Sequence, residues 1–174
     1  MKKLLVVIDY QNDFVSGSLG FEQAKEIEDY LVELITKYHD HHDDVIFTYD
    51  THYDDYLNTN EGKNLPIVHC LENSEGWKLY GKIDALASND KKIKKNTFGS
   101  LELGNYLKDK NYDEITIVGV VSNICVISNA MILKAFFPES EIIVDASCCA
   151  GVTPSTHKQA LESMKMCHID VINE

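Results

Sequence analysis

Three clusters of residues in this 174-residue chain have types and spacings that could carry chemistry. Cys125 follows a strand-like run, Ile115-Thr116-Ile117-Val118, by way of Gly119, and stands at the start of a helix-like segment. The unpaired N–H groups and positive dipole end of a helix favour a thiolate, so the position predicts a lowered thiol pKa and a nucleophile. Packing is the plainer use of a free cysteine, and Cys148, Cys149 and Cys167 read that way, the first two in a small-residue loop after a strand and the last in a buried helix. Asp9 ends the apolar run Leu4-Leu5-Val6-Val7-Ile8 and precedes Gln11, Asn12 and Asp13. A carboxylate there could serve as base toward a thiol or a water, although turns also recruit aspartate. Lys95 closes Lys91-Lys92-Ile93-Lys94-Lys95, and alternation along a strand lets only one of Lys94 and Lys95 face such a site.

The third cluster is Asp50-Thr51-His52, with Glu61 and the His69-Cys70 pair beyond it. Residues two apart on an extended segment project to the same face, and a distant Glu and His can close an N2O2 set around a cation. Such a mixed set suits zinc, iron or manganese better than calcium or magnesium. The plainer account is a polar loop with surface histidines, as His39, His41 and His42 look to be beside Asp40, Asp43 and Asp44.

The elements that must position these residues read as an alternation of short β-branched runs and longer amphipathic ones, the pattern of βαβ units. Strands are expected near 3–9, 44–49, 91–95, 114–121, 141–146 and 168–173, and helices over 22–39, 100–109, 123–137 and 154–166. The fold class is α/β, in one domain over 1–174. Ligands of open α/β sheets bind beyond the carboxyl ends of the strands, which is where Asp9, Asp50, Lys95 and the Cys125 turn fall. The irregular stretch 50–80 is long enough to suggest function. With 28 acidic against 16 basic residues the formal charge is -12, which repels nucleic acid and anionic membranes. Asp9 interrupts the N-terminal apolar run too early for a signal peptide, so a cytoplasmic protein is expected. Five cysteines, an odd number, do not suggest a disulfide framework.

Four ordered motifs match a known pattern. Ile8-Asp9-Tyr10-Gln11-Asn12-Asp13-Phe14 resembles the D-x-Q-x-D-F opening of the isochorismatase-like cysteine hydrolases. Asp50-Thr51-His52 and Leu65-Pro66-Ile67-Val68-His69-Cys70 resemble the D-x-H and P-x-H-C segments of their nicotinamidase branch, and Gly119 to Val126 the nucleophile turn; a similar-looking helix holds His157. The resemblance implies a three-layer, six-stranded, mostly parallel sheet with helices on both faces. It implies catalytic Asp9, Lys95 and Cys125, with Lys94 the alternative lysine because the family's K-x-x-x-S-A-F segment is shortened here. It further implies an oxyanion hole from the Val121 and Cys125 N–H groups, a cis peptide at Val120-Val121, and Phe14 against the substrate ring, with Trp77 or Tyr53 as further ring contacts.

For the cofactor, the resemblance implies one divalent metal, zinc with iron or manganese as alternatives, held by Asp50, His52 and His69, with Glu61 replacing a histidine of the common pattern. Val121-Ser122-Asn123 replaces the family's A-T-D. The implied activity is hydrolysis of nicotinamide to nicotinate and ammonia, a step of NAD salvage, by a homo-oligomer. Hydrolysis of another small amide or ureido compound, or a non-catalytic metal-binding sensor, are the competing readings.

Overall fold

Strands β1 (Lys3–Ile8), β2 (Asp44–Asp50), β3 (Lys91–Lys95), β4 (Glu114–Val120), β5 (Glu141–Ala150) and β6 (Asp170–Ile172) form one sheet in the order β3-β2-β1-β4-β5-β6. The computed structural model describes all residues, 1–174. Every neighbouring pair is parallel, so the sheet is wholly rather than mostly parallel. Each connection is long enough to cross over, and the central strands β1 and β4 are apolar and buried nearly throughout, as strands covered on both faces must be.

Eight helices fill the crossovers: α1 (Asn12–Val15), α2 (Glu22–Glu26), α3 (Glu28–Asp40), α4 (Asn60–Asn64), α5 (Gly81–Leu86), α6 (Leu101–Leu107), α7 (Ile127–Phe136) and α8 (Pro154–Met166). Contacts among α1, α2, α3 and α5 put these on one face of the sheet, and those among α6, α7 and α8 put them on the other. Helix α8 begins where the sequence dictates: Thr153 and Thr156 form a reciprocal capping box and Pro154 occupies the first turn. No helix is long and apolar enough to cross a membrane.

Several expectations are corrected. The helix over 22–39 is two helices, parted at buried Ile27, and the acids Glu28 and Asp29 that open α3 suit a helix N-terminus. Strand β5 runs on to Ala150, which places Cys148 and Cys149 inside the sheet rather than in a loop. Cys167 is exposed at the end of α8, not buried, and all five cysteines are free. The helix expected over 123–137 opens instead with a π-helical turn, Ser122–Val126, before α7.

Strand order reverses between β1 and β4, since the chain steps outward through β2 and β3 and then returns to the other side of β1. That switch point opens a crevice at the carboxyl ends of the strands.

Candidate active site

The crevice gathers the candidate residues from four adjacent strands. Asp50 ends β2 and Lys95 ends β3, and the two are register partners. Asp9 leaves β1 with φ of 45°, a left-handed conformation uncommon for a residue with a side chain, and so turns back toward its neighbours. Gly119, opposite Ile8, has φ of +114°, and a Cβ there would lie 2.2 Å from the Ile8 carbonyl oxygen; only glycine lets β4 enter the Cys125 turn so close to β1. The Val120-Val121 peptide is cis, where the family pattern places it.

Lys95 is the centre of the cluster. Its Nζ lies 2.6 Å from Asp9 Oδ2, 3.1 Å from Asp50 Oδ1 and 3.6 Å from Cys125 Sγ, and donates to the Thr97 carbonyl at 2.9 Å. The Lys95 side chain is 2% exposed, whereas Lys94 is half exposed and paired with Glu72. As alternation along a strand requires, Lys95 points inward and Lys94 outward. Asp9 is held by Thr48, whose hydroxyl donates to Oδ1 at 2.6 Å and accepts from the Asp9 N–H at 3.2 Å.

Electrostatics correct one expectation. Burial, then the charge of Asp9, pushes the Cys125 thiol well above its ordinary value, and Lys95 only partly opposes them. The helix-start argument left burial out of account: this turn is packed beside an acidic group rather than open to water. Cys125 therefore rests as a thiol. Burial also raises the Asp9 carboxyl, with Lys95 opposing, and an acid so raised is a stronger base once ionised. For Lys95, burial disfavours the charge, but the carboxylates of Asp9 and Asp50 outweigh it and keep the ammonium.

Beside this centre the side chains of Asp50, His52, Glu61 and His69 bring ligand atoms within 4.8 Å of one another. His52 Nε2 lies 2.9 Å and His69 Nε2 3.5 Å from Asp50 Oδ2, and the same nitrogens lie 3.6 and 3.7 Å from Glu61 Oε1. His69 Nδ1 lies 2.8 Å from the Ile67 carbonyl, a bond that puts the proton on Nδ1 and leaves Nε2 free to ligate. Burial and the nearby Asp50 charge raise the Glu61 carboxyl, a crowding of acids that a cation would relieve. The donor chemistry fits a borderline divalent metal. Asp50 belongs to both groups: Oδ2 faces the histidines and Oδ1 faces Lys95.

The polar run after Asp9 holds this second group in place. The Gln11 amide donates to the Asp50 carbonyl at 2.9 Å and accepts from the Asp50 N–H at 2.8 Å, which fixes the end of β2. Asp13 Oδ2 accepts from the Cys70 N–H at 2.7 Å, which fixes the His69 segment. Sequence reasoning missed Thr48 and Tyr56. The Tyr56 ring lies 4.6 Å from that of His52 and 5.0 Å from that of His69, wedging both histidines, and its hydroxyl donates to the Leu65 carbonyl. The available signal was an aromatic residue between the D-x-H pair and Glu61.

Phe14 is buried with its ring 5.5 Å from that of His69, at the edge of the ligand group. Trp77 packs on Tyr49 and donates from Nε1 to Thr51. Tyr53, with His52, Tyr56, Glu61, Asn96 and Phe98, lines a cavity of about 610 Å³ that opens beside the ligand group. Cys125 is not part of that lining and is 5% exposed.

A wholly parallel sheet with a buried carboxylate, ammonium and thiol at its switch point defines a class, and residues 3–173 match the isochorismatase domain: the chain belongs to the isochorismatase family. Among its relatives, the nicotinamidase/pyrazinamidase of Mycobacterium tuberculosis is 25% identical over 98% of both chains, and the uncharacterised isochorismatase family protein PncA of Bacillus subtilis is 29% identical over 92% of this chain and 93% of its own. The crystal structure of the Bacillus subtilis nicotinamidase/pyrazinamidase PncA superposes with a TM-score of 0.89, at 28% identity, over 99% of this chain and all of that one.

Proposed function

We propose that this protein is a nicotinamidase, a cysteine amidohydrolase that converts nicotinamide to nicotinate and ammonia with one bound divalent metal. The observation that carries the reading is the junction of two groups: Asp9, Lys95 and Cys125 on one side, and the Asp50-His52-Glu61-His69 set on the other, sharing Asp50. Relatives named for nicotinamide and pyrazinamide hydrolysis support it.

In this reading Cys125 attacks the carboxamide carbon while Asp9 takes the thiol proton. The carbonyl π pair moves to oxygen, where the Val121 and Cys125 N–H groups receive it. Lys95 keeps its charge against both Asp9 and the developing thiolate. The C–N bond then breaks, the Asp9 proton passes to nitrogen, and ammonia leaves a thioester. Asp9 next deprotonates a water that attacks the thioester, and Cys125 recovers its proton as nicotinate departs. Asp50, His52, Glu61 and His69 would hold the metal, zinc by donor type with iron or manganese as the other borderline ions. When bound, it supplies a Lewis-acid anchor for the pyridine nitrogen. Phe14 packs against the ring. The reading includes a homo-oligomeric, cytoplasmic enzyme, and light scattering on the purified protein tests the first of these.

Ammonia release from a panel of aromatic amides and ureido acids, with and without chelator, tests the assignment. Fastest turnover of nicotinamide, lost on chelation and restored by zinc, is expected. Turnover of ureido acids alone would move the protein to another branch, and metal binding without turnover would make it a sensor.

Two predictions follow from the groups separately. Because Asp9 must be ionised to accept the thiol proton, activity falls as pH drops through its pKa. That acid limb should lie above the ordinary carboxylate value of 3.8, since burial raises it. Metal content measured at each pH separates this limb from metal loss, and a limb at or below 3.8 in fully loaded enzyme would remove Asp9 as the base. Glu61→Ala should lower metal occupancy and raise KM while leaving alkylation of Cys125 by iodoacetamide nearly unchanged. Elemental analysis decides: full occupancy would leave an Asp-His-His set.

A further inference from the structure

One polar pair near Cys125, a buried serine and a half-buried histidine, has no part in the mechanism above. Ser122 is fully buried, and its Oγ lies 2.7 Å from Nδ1 of His157, which reaches it from the first turns of α8. Ser122 stands between Val121 and Cys125, the two residues whose N–H groups would hold the oxyanion.

The turn that carries those donors has little to hold its upstream half. Val121, which precedes the π-helical turn, makes no side-chain cap, and its carbonyl is shared by the N–H groups of Ile124 and Val126 at 3.0 and 3.2 Å. Downstream, Asn129 donates to the Cys125 carbonyl at 2.8 Å and to the Phe98 carbonyl at 3.0 Å. Upstream, the Ser122–His157 bond is the corresponding anchor.

His157 is well placed to act as one. The capping box of Thr153 and Thr156 fixes the turn on which it stands. Gly151 lets the strand exit press against it, for a Cβ at Gly151 would lie 2.8 Å from the His157 Cβ. Burial lowers the His157 pKa, so the ring stays neutral near pH 7 and brings no charge beneath the turn.

We propose that the Ser122–His157 hydrogen bond braces the Val121-to-Cys125 turn in its oxyanion-binding shape, making His157 a positioning residue that acts on the transition state from outside the reacting group. This rests on the amidase reading. An asparagine at 157 can place an amide oxygen or nitrogen where Nδ1 stands, so it reproduces the bond in either direction.

The experiment measures kcat and KM for nicotinamide, and the affinity for pyridine-3-carboxaldehyde, in wild type, Ser122→Ala, His157→Ala, His157→Asn and the double alanine variant. With the aldehyde, the Cys125 sulfur–carbon bond forms, the carbonyl π pair moves to oxygen and the thiol proton passes to Asp9, so the adduct's oxygen reports on the hole without turnover. Each single alanine variant should lose about 10–100-fold in kcat and a like factor in aldehyde affinity, with KM within about twofold. The double variant should be no worse than the poorer single, and His157→Asn should recover most of the loss.

Unchanged kcat and aldehyde affinity in His157→Ala, a loss confined to KM, or losses that multiply in the double variant would overturn the brace. Should Ser122→Ala not fold, the comparison of His157→Ala with His157→Asn decides alone. Wild-type protein that binds the aldehyde but does not turn over nicotinamide would sink the amidase reading and leave the brace to be judged on aldehyde affinity.

Discussion

Replacing Cys125 with alanine is expected to lower ammonia release by about 10⁴–10⁶-fold while leaving the fold intact. The thiol is the only candidate nucleophile in contact with Lys95, and the removed sulfur leaves a small apolar gap rather than an unpaired charge. A melt within a few degrees of wild type is therefore expected. Cys148→Ala and Cys149→Ala give the contrast, because both thiols are buried in β5 and do not approach Lys95. They should keep most of the activity. Cys125→Ala protein that still released ammonia near the wild-type rate would end the thioester mechanism.

Lys95→Ala is expected to be nearly as severe for a different reason. The ammonium compensates two buried carboxylates, Asp9 and Asp50, and removing one partner from such a group costs about 3–5 kcal/mol. The variant should thus lose both turnover, by several orders of magnitude, and thermal stability, the stability loss shrinking as pH falls and the two acids take up protons. Lys94→Ala removes only an exposed pair with Glu72 and should change either quantity little. Paired kinetics and melts on the two variants check this, and the reverse ranking would transfer the role to Lys94.

The outline of the site was legible in the sequence for a topological reason. In a parallel α/β sheet the chemistry lies at strand ends, and Asp9, Asp50, Lys95 and the Gly119 turn are recognisable ends because β-branched runs stop there. The metal-type group was legible through D-x-H periodicity, but Tyr56 was not, since nothing local says that a loop tyrosine will fold back onto two histidines. Thr48 looked like any strand residue, and its bond to Asp9 exists only because β1 and β2 are neighbours. The charge state of Cys125 went the wrong way for a related reason. The helix dipole can be read along the chain, whereas burial among Asp9, Lys95 and Asp50 is a property of the assembled sheet. Helix α5 and the break at Ile27 were missed because α5 is short and Ile27 continues the apolar stripe of α3.

The strand order also governs how such a centre can come into being. Its members come from positions 9, 50, 95 and 125 and meet across β3-β2-β1-β4, so no two neighbouring elements along the chain contain the site. Parallel pairing demands long loop closures, which makes assembly slow compared with local structure. Lys95 can leave water cheaply only when Asp9 and Asp50 are already there to meet it, which ties its burial to the docking of β3 on β2 and β2 on β1. Cys125, in the turn that follows β4, reaches Lys95 only across both. A nascent chain that has not yet added β4 to the sheet therefore holds an acid, a base and a ligand group but no competent centre, and the chemistry is withheld until the fold is nearly complete.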